Sequence, residues 1–393
     1  MIRSARLRIC LALALAFAVA ATSTGCYSKT EIEQTAFVLA IGLDRGREKP
    51  LRLVAQIAVP PAIAGESGGG GQLEAVLLSA EGRTVSEAIL ELSKVTPSKL
   101  FWGHADIIVM TADFVEHGLV RKTDIFLRER EFRPGAFVFI THDELEDVLA
   151  VKYPAQPGNA AYVQQLADLT STHSTSPQAF IAELGILISV GTGAMLIPII
   201  TVDESAASSG VDKPLKTLRL SGSGVVNGDG LLAELTAVET RGVLWAIGKV
   251  RETIITLEDP GDLTGSLGIR VFRSWSHISI EIDHQRIEDS KVLVSINGDA
   301  DIIEAHLPGV YLSSAEVQMV NGSLSEAVAR EVRNSLRLLQ HVGADALGLA
   351  ELLRRSMPAA RWKEVKAQWD QVFSQIEFSV TVDLRIRRRG MAA

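Results

Sequence analysis

Both cysteines of this 393-residue chain, Cys10 and Cys26, fall within its first 26 residues. Everything downstream must therefore fold without a disulfide and draw its stability from buried apolar surface. The same stretch decides where that folding happens. Arg3, Arg6 and Arg8 form a cationic start, Ile9 to Ala21 is an unbroken apolar run, and Thr22-Ser23-Thr24-Gly25-Cys26 closes it with small residues. That is the layout of a secretory signal peptide over residues 1–25. A bilayer-spanning helix needs about 20 apolar residues, more than the run from Ile9 to Ala21 supplies, so a cleaved leader fits better than a permanent span. Cleavage would remove three arginines and no acid, taking the formal charge from -8 to -11. An acidic body is a poor nucleic-acid ligand.

Beyond the leader, Ala36 to Asp44 is a continuous apolar run that predicts a buried strand, with Leu51 to Val59 as its hairpin partner across a polar turn. Gly65 to Gly71 is a loop and not a phosphate cradle, since no helix start with Lys-Ser or Lys-Thr follows it. Thr84-Val85-Ser86-Glu87 has the spacing of a capping box and opens a helix with Val85, Ala88, Ile89 and Leu92 on one face. Strands are predicted at Leu100 to Met110, Ala136 to Ile140 and Met195 to Ile200. A second box at Thr141-His142-Asp143-Glu144 opens a helix through Leu149, and helices are predicted over Asn159 to Leu169 and Pro177 to Ile188. For the last of these, Ser176 is the expected N-cap, with Pro177 at the first helical position.

Val202 to Pro214 reads as a linker between an N-terminal domain, 26–201, and a C-terminal domain, 215–393. After it, Thr217 to Val226 and Leu231 to Leu235 flank Asn227-Gly228-Asp229-Gly230, a hairpin signal. Thr236 to Glu239 is a third capping box. Strands are expected at Glu252 to Leu257, Ile269 to Phe272, His277 to Ile282, Val292 to Asn297 and Ala300 to Ala305. Ser323 to Glu326 is expected to cap a long helix whose Val328, Val332, Leu336 and Leu339 share a face. The final strand, Glu377 to Arg387, alternates apolar and polar residues. Strands and helices without regular βαβ alternation imply a multi-domain α+β protein with mixed or antiparallel sheets and packed helices, and no disulfides.

Catalytic chemistry finds little footing. The eight histidines are dispersed, none in a HExxH or paired Cys/His spacing, and no G-x-S-x-G elbow is present. No catalytic residue, metal ligand or cofactor is assigned. His104 and Asp106 would share a strand face, yet no nucleophile accompanies them, so His104 is given a structural role. Arg385, Arg387, Arg388 and Arg389 form a basic tail. It suits either an anionic membrane surface or solubilising charge on an edge strand, and the interleaved Asp383 favours the second.

Gly25 directly before Cys26 resembles the bacterial lipobox, with Ser23 where leucine is usual. That resemblance implies a diacylglycerol on the Cys26 thiol. The other reading is an ordinary secretory cut near Ala18-Val19-Ala20, leaving Cys26 a plain thiol. Cys26 is followed by Glu31-Ile32, Val38 to Asp44, the helix from Ser86 into Pro97, Gly103-His104, and Leu127-Arg128-Glu129-Arg130-Glu131-Phe132-Arg133. Further on come Glu239-Thr240-Arg241-Gly242 with Trp245, Gly343-Ala344-Asp345, and Trp362 with Trp369. In that order these pieces resemble the Ger(x)C spore-germination lipoproteins, with Tyr27 where the family usually has Trp. The resemblance implies a non-enzymatic C subunit of a nutrient germinant receptor. It would be anchored to the membrane through its N-terminal diacylglycerol, on the outer face of the spore inner membrane, beside two polytopic subunits of A and B type. The alternative is a substrate-binding lipoprotein of a membrane transporter. Such proteins place ligand between two lobes built on parallel sheets, whereas the strands here read as hairpins.

Overall fold

The computed structural model describes residues 35–59, 75–153, 158–205, 216–261, 263–283, 285–307 and 312–388. Cys26 with its lipobox, and the glycine run, lie outside the described residues.

The first described strand sits in the interior of the larger, nine-stranded sheet. β1 (Thr35–Asp44) pairs antiparallel with β2 (Leu51–Ala58), and β2 with β3 (Ala75–Gly82). On its other flank β1 runs parallel to the short β4 (Lys99–Phe101) and to β5 (Ile107–Thr111). β6 (Phe137–Thr141) and β7 (Met195–Asp203) extend the parallel order. β8 (Thr217–Val226) then returns antiparallel along β7, and β9 (Leu231–Leu235) forms the far edge.

Parallel neighbours need long crossovers, and helices supply them. α1 (Val85–Val95) leads into β4, and α2 (Ala112–Glu116) and α3 (Ile125–Arg128) lie between β5 and β6. α4 (Leu145–Ala150), α5 (Asn159–Thr172) and α6 (Ile181–Val190) lie between β6 and β7. The expectation of hairpin-type strands thus holds at the sheet's margins and fails at its centre. With helices on both faces, β6 buries every residue and β5 all but the last, as central parallel strands do. Ile41, Leu92, Phe114 and Phe126 belong to one core; Val54, Phe139, Leu149 and Val163 belong to a second. Asp203 faces Thr217 across the β7–β8 pair, so the segment 202–214 connects neighbouring strands of one sheet.

The smaller sheet holds β10 (Thr253–Glu258), β11 (Ser266–Glu281), β12 (Lys291–His306) and β13 (Glu377–Arg388), in that order. β11 and β12 are each one long strand where two short ones were expected, because bulges near Ile269 and Arg273 absorb the irregular residues without breaking the ladder. β13 lies parallel to β12.

α7 (Ala237–Ala246) opens on the predicted box, with Thr236 Oγ1 accepting from Glu239 N–H and the Glu239 carboxylate accepting from Thr236 N–H. α8 (Ser314–His341) covers one face of the small sheet with Val320, Leu324, Val328, Val332, Leu336 and Leu339. Its working capping box is Ser313 with Glu316, and the predicted Ser323–Glu326 pair lies inside the helix. The apolar stripe begins at Val317, earlier than the sequence reading placed it. α9 (Leu349–Ser356), α10 (Ala359–Lys366) and α11 (Trp369–Gln375) complete the fold.

Two further helix starts move. α6 begins at Ile181, and Ser176 is buried with its hydroxyl on the Gly222 carbonyl. α4 begins at Leu145, because Thr141 belongs to β6 and its hydroxyl accepts from Asp143 N–H.

Candidate functional site

Eight residues separate Cys26 from Thr35, the start of β1, nine chain steps with a reach of at most about 32 Å. This end of the large sheet is where two resemblance motifs meet. After β4 the chain turns through 102–106, with Ala105 N–H donating to Trp102 O at 3.0 Å. The His104 ring stands edge-on to Phe37 and Phe101, with centroids 5.3 and 5.5 Å away. The segment 127–133 clamps that turn. Glu131 accepts from Trp102 N–H at 3.2 Å, Arg133 pairs with Asp106, and Phe132 packs between Phe126 and Trp102. A Cβ on Gly103 would stand 2.7 Å from the Phe101 ring, so a larger residue here would push that ring aside. His104 and Asp106 lie in a turn rather than on the predicted strand, and Asp106 turns to Arg133.

The second feature is a groove of about 640 Å³ at the seam between α6, the start of β7, and α9 with α10; Ile186, Met195, Asp345, Glu351, Arg354 and Trp362 help line it. Asp345, 2% exposed, organises it. Its carboxylate accepts N–H bonds from Leu347, Leu349 and Ala350 at 3.1, 3.0 and 2.7 Å, capping the start of α9, and its carbonyl accepts from Ala194 N–H at 2.8 Å. Burial pushes the Asp345 carboxyl above its ordinary value, against the pull of those N–H groups. At the rim, hydrogen bonds from Arg354 and Arg355 hold Glu351 down to about 2. Gly343 and Gly348 take positive φ on either side of Asp345, so the Gly343-Ala344-Asp345 motif is a turn that brings α9 against β7. Trp362, another of the resemblance residues, lines the groove as well; its remaining walls come from residues far apart in sequence, and no local signal marked them.

The basic tail resolves into ion pairs. Arg387 and Arg273 both reach Asp299, Arg388 lies 3.0 Å from Asp301, and Arg385 lies 2.6 Å from Asp383. These arginines stitch the small sheet together, with Arg389 outside the described residues.

Among the described residues no helix is long and apolar enough to cross a membrane, and no group of three or more His, Cys, Asp and Glu side chains could hold a metal ion. Fold and site together define a two-sheet α+β protein whose motif residues clamp loops and seams. Residues 28–202 match the family model described as spore germination protein N-terminal domain, and residues 221–390 match the one described as spore germination B3/GerAC like, C-terminal. The chain belongs to the Ger(x)C family of spore-germination proteins. It is 24% identical over 400 residues to spore germination protein KC of Bacillus subtilis (strain 168), covering 98% of this chain and 97% of that protein. To spore germination protein B3 of the same organism it is 22% identical over 373 residues, covering 93% and 94%. The crystal structure of the GerBC protein shares the fold, with a TM-score of 0.56 at 17% identity over 88% of this chain and 97% of that one.

Proposed function

We propose that this chain is the lipid-anchored, non-enzymatic C subunit of a spore germinant receptor, required for the response to nutrients. The observation that carries the reading is the pair of germination-family matches, which follow one another along nearly all of the chain beyond the leader. In this reading Cys26 carries a diacylglycerol and the body sits on the outer face of the spore inner membrane, beside two polytopic subunits of A and B type. Two acyl chains suffice for stable anchoring where one holds only marginally. Confining the body within reach of the bilayer raises its effective concentration toward membrane partners, so weak contacts suffice for assembly.

The junction between the two domains is kept at 202–214 as part of this proposal, with β8 and β9 beyond it completing the large sheet. Two units that share one sheet edge are the arrangement we infer. Family membership is what sets the receptor reading above the transporter-linked one.

The test is Cys26→Ala in the spore, following membrane fractionation and germination on amino acids or sugars. The chain is expected to leave the membrane fraction and the nutrient response to be lost. A normal response with the chain in the soluble fraction would rule out anchoring as the requirement.

A further inference from the structure

Helices α9 and α10 carry a basic patch on an acidic chain. From Glu351 to Lys366 the sequence sets Arg354, Arg355, Arg361, Lys363 and Lys366 against Glu351 and Glu364, a formal +3 in a chain of -8 overall. The surplus survives local pairing. Glu351 serves Arg354 and Arg355 at once, and Glu364 takes Arg361. Glu183, on the facing wall of the groove described above, lowers the sum to +2 and does not cancel it.

Apolar side chains stand among these charges. α9 buries Leu349, Ala350 and Leu353 and turns Leu352 outward, 38% exposed, while Ile186 on α6 is 62% exposed. Ile186 and the half-buried Trp362 share the groove's walls with Arg354 and Lys366. Long cationic side chains around exposed aliphatics and a tryptophan make up a surface suited to the boundary between water and lipid. A protein interface is the poorer fit, since Lys and Glu are depleted at the core of such contacts. Anionic headgroups complement the patch and repel the acidic remainder of the body, so the charge selects one face.

Position points to the same occupant. Gly185 of α6 lies directly against Leu127, which opens the segment 127–133 that clamps the turn beside the start of β1. α6 thus joins the patch to the end of the body from which the chain runs back to Cys26.

We propose that α9, α10 and Ile186 form a contact surface for an anionic bilayer leaflet, holding the body on the membrane in one orientation. The arginines and lysines meet headgroup phosphates, and Leu352, Ile186 and Trp362 reach the edge of the acyl region. The fixed orientation rests on the anchoring reading, because the tether supplies the nearby leaflet. The contact itself does not, and it is tested with no acyl chain present.

The test is co-sedimentation of the mature chain, residues 26–393 with Cys26→Ala, with vesicles of phosphatidylcholine alone or mixed equally with phosphatidylglycerol. This chain keeps every described residue and carries no lipid. It is expected to bind the anionic vesicles at least ten-fold more tightly than the neutral ones. Arg355→Glu with Lys363→Glu, both at exposed positions, reverses two cations of the patch. Each cation near such a surface contributes about five-fold, so the anionic preference should be lost. Arg45→Glu with Arg47→Glu makes the same change of net charge at exposed positions beyond the other end of β1 and should bind within about two-fold of the parent, outside the range of one contact charge. The proposal is overturned if anionic and neutral vesicles bind alike, if the patch variant binds as the parent does, or if the distant variant loses as much as the patch variant. The basic residues would then serve solubility only.

Discussion

The two sheets of this protein bury themselves in opposite ways. The large one has apolar cores on both faces, and its central strands β5 and β6 are almost wholly enclosed. The small one gives Val292, Val294 and Ile296 to α8, while the alternate residues Leu293, Ser295 and Asn297 stay half-exposed on the other face. Where that open face does become buried, it is at Asp299 and Asp301, covered by arginines from β11 and β13. Guanidinium stems there do what a helix does elsewhere. The difference teaches that the large sheet should be intolerant of substitution on either face and the small sheet on one.

The widest gap is expected between Phe139→Ala in β6 and Thr381→Ala on the open face of β13. Phe139 is fully buried, and truncating such a residue costs about 3–5 kcal/mol. Thr381 is exposed and should change stability by less than about 0.5 kcal/mol. Denaturant titration of both variants checks this. A Thr381→Ala loss comparable to that of Phe139→Ala would mean that the open face is covered, and the contrast between the sheets would go.

Gly242→Ala probes the covered face of the small unit. An added Cβ there would stand 2.7 Å from the Glu331 carbonyl and crowd the Ser335 hydroxyl, forcing α7 away from α8. Overpacking of this kind costs about 1–3 kcal/mol. A neutral result would show that the two helices are not locked together.

The smallest effects are in pH dependence, and their signs differ between the regions. Hydrogen bonds from Arg273 and then Arg387 hold the Asp299 carboxyl below its ordinary value of 3.8. Its stabilisation is therefore present above that value and lost as pH falls through the lowered one. Asp345 is raised from the same ordinary value by burial, so its contribution is complete at acid pH and is lost as pH rises through the raised value. Stability measured from acid to neutral pH should lose part of its acid limb in Asp299→Asn. Asp345→Asn should instead flatten the slope above the ordinary value, on top of a general loss from its weakened cap. Both variants altering the same limb would contradict the contrast.

Much of this architecture was legible in the sequence because burial leaves a local record. The unbroken runs at Ile107 to Met110 and Phe137 to Ile140 announce two-sided enclosure, and the alternation of β13 announces one-sided packing. Direction was not legible, since the parallel pairing of Ala40 with Ile107 is decided by helices and strands far along the chain. Ser323–Glu326 is as good a capping box as Ser313–Glu316 when viewed locally; the contact of Val317 and Val320 with the rest of the unit selects the earlier one. Gly298 looked like a break and is instead a close approach, its Cα hydrogens facing the Arg273 carbonyl where a Cβ would come within 2.6 Å.

The sites follow the same rule. Gly103-His104 and the segment 127–133 stood out as motifs, but not as partners, because the Asp106–Arg133 pair spans a whole crossover.

β1 is gripped along its length from both sides, by β2 on one flank and by β4 and β5 on the other. A pull on the chain ahead of Thr35 would act along the strand axis, across hydrogen bonds that lie crosswise to it. Those bonds would be sheared together instead of unzipped singly. Mechanical tension arriving from that end is thus delivered to the middle of the sheet, where resistance to rupture is greatest, and not to a margin that could be peeled away.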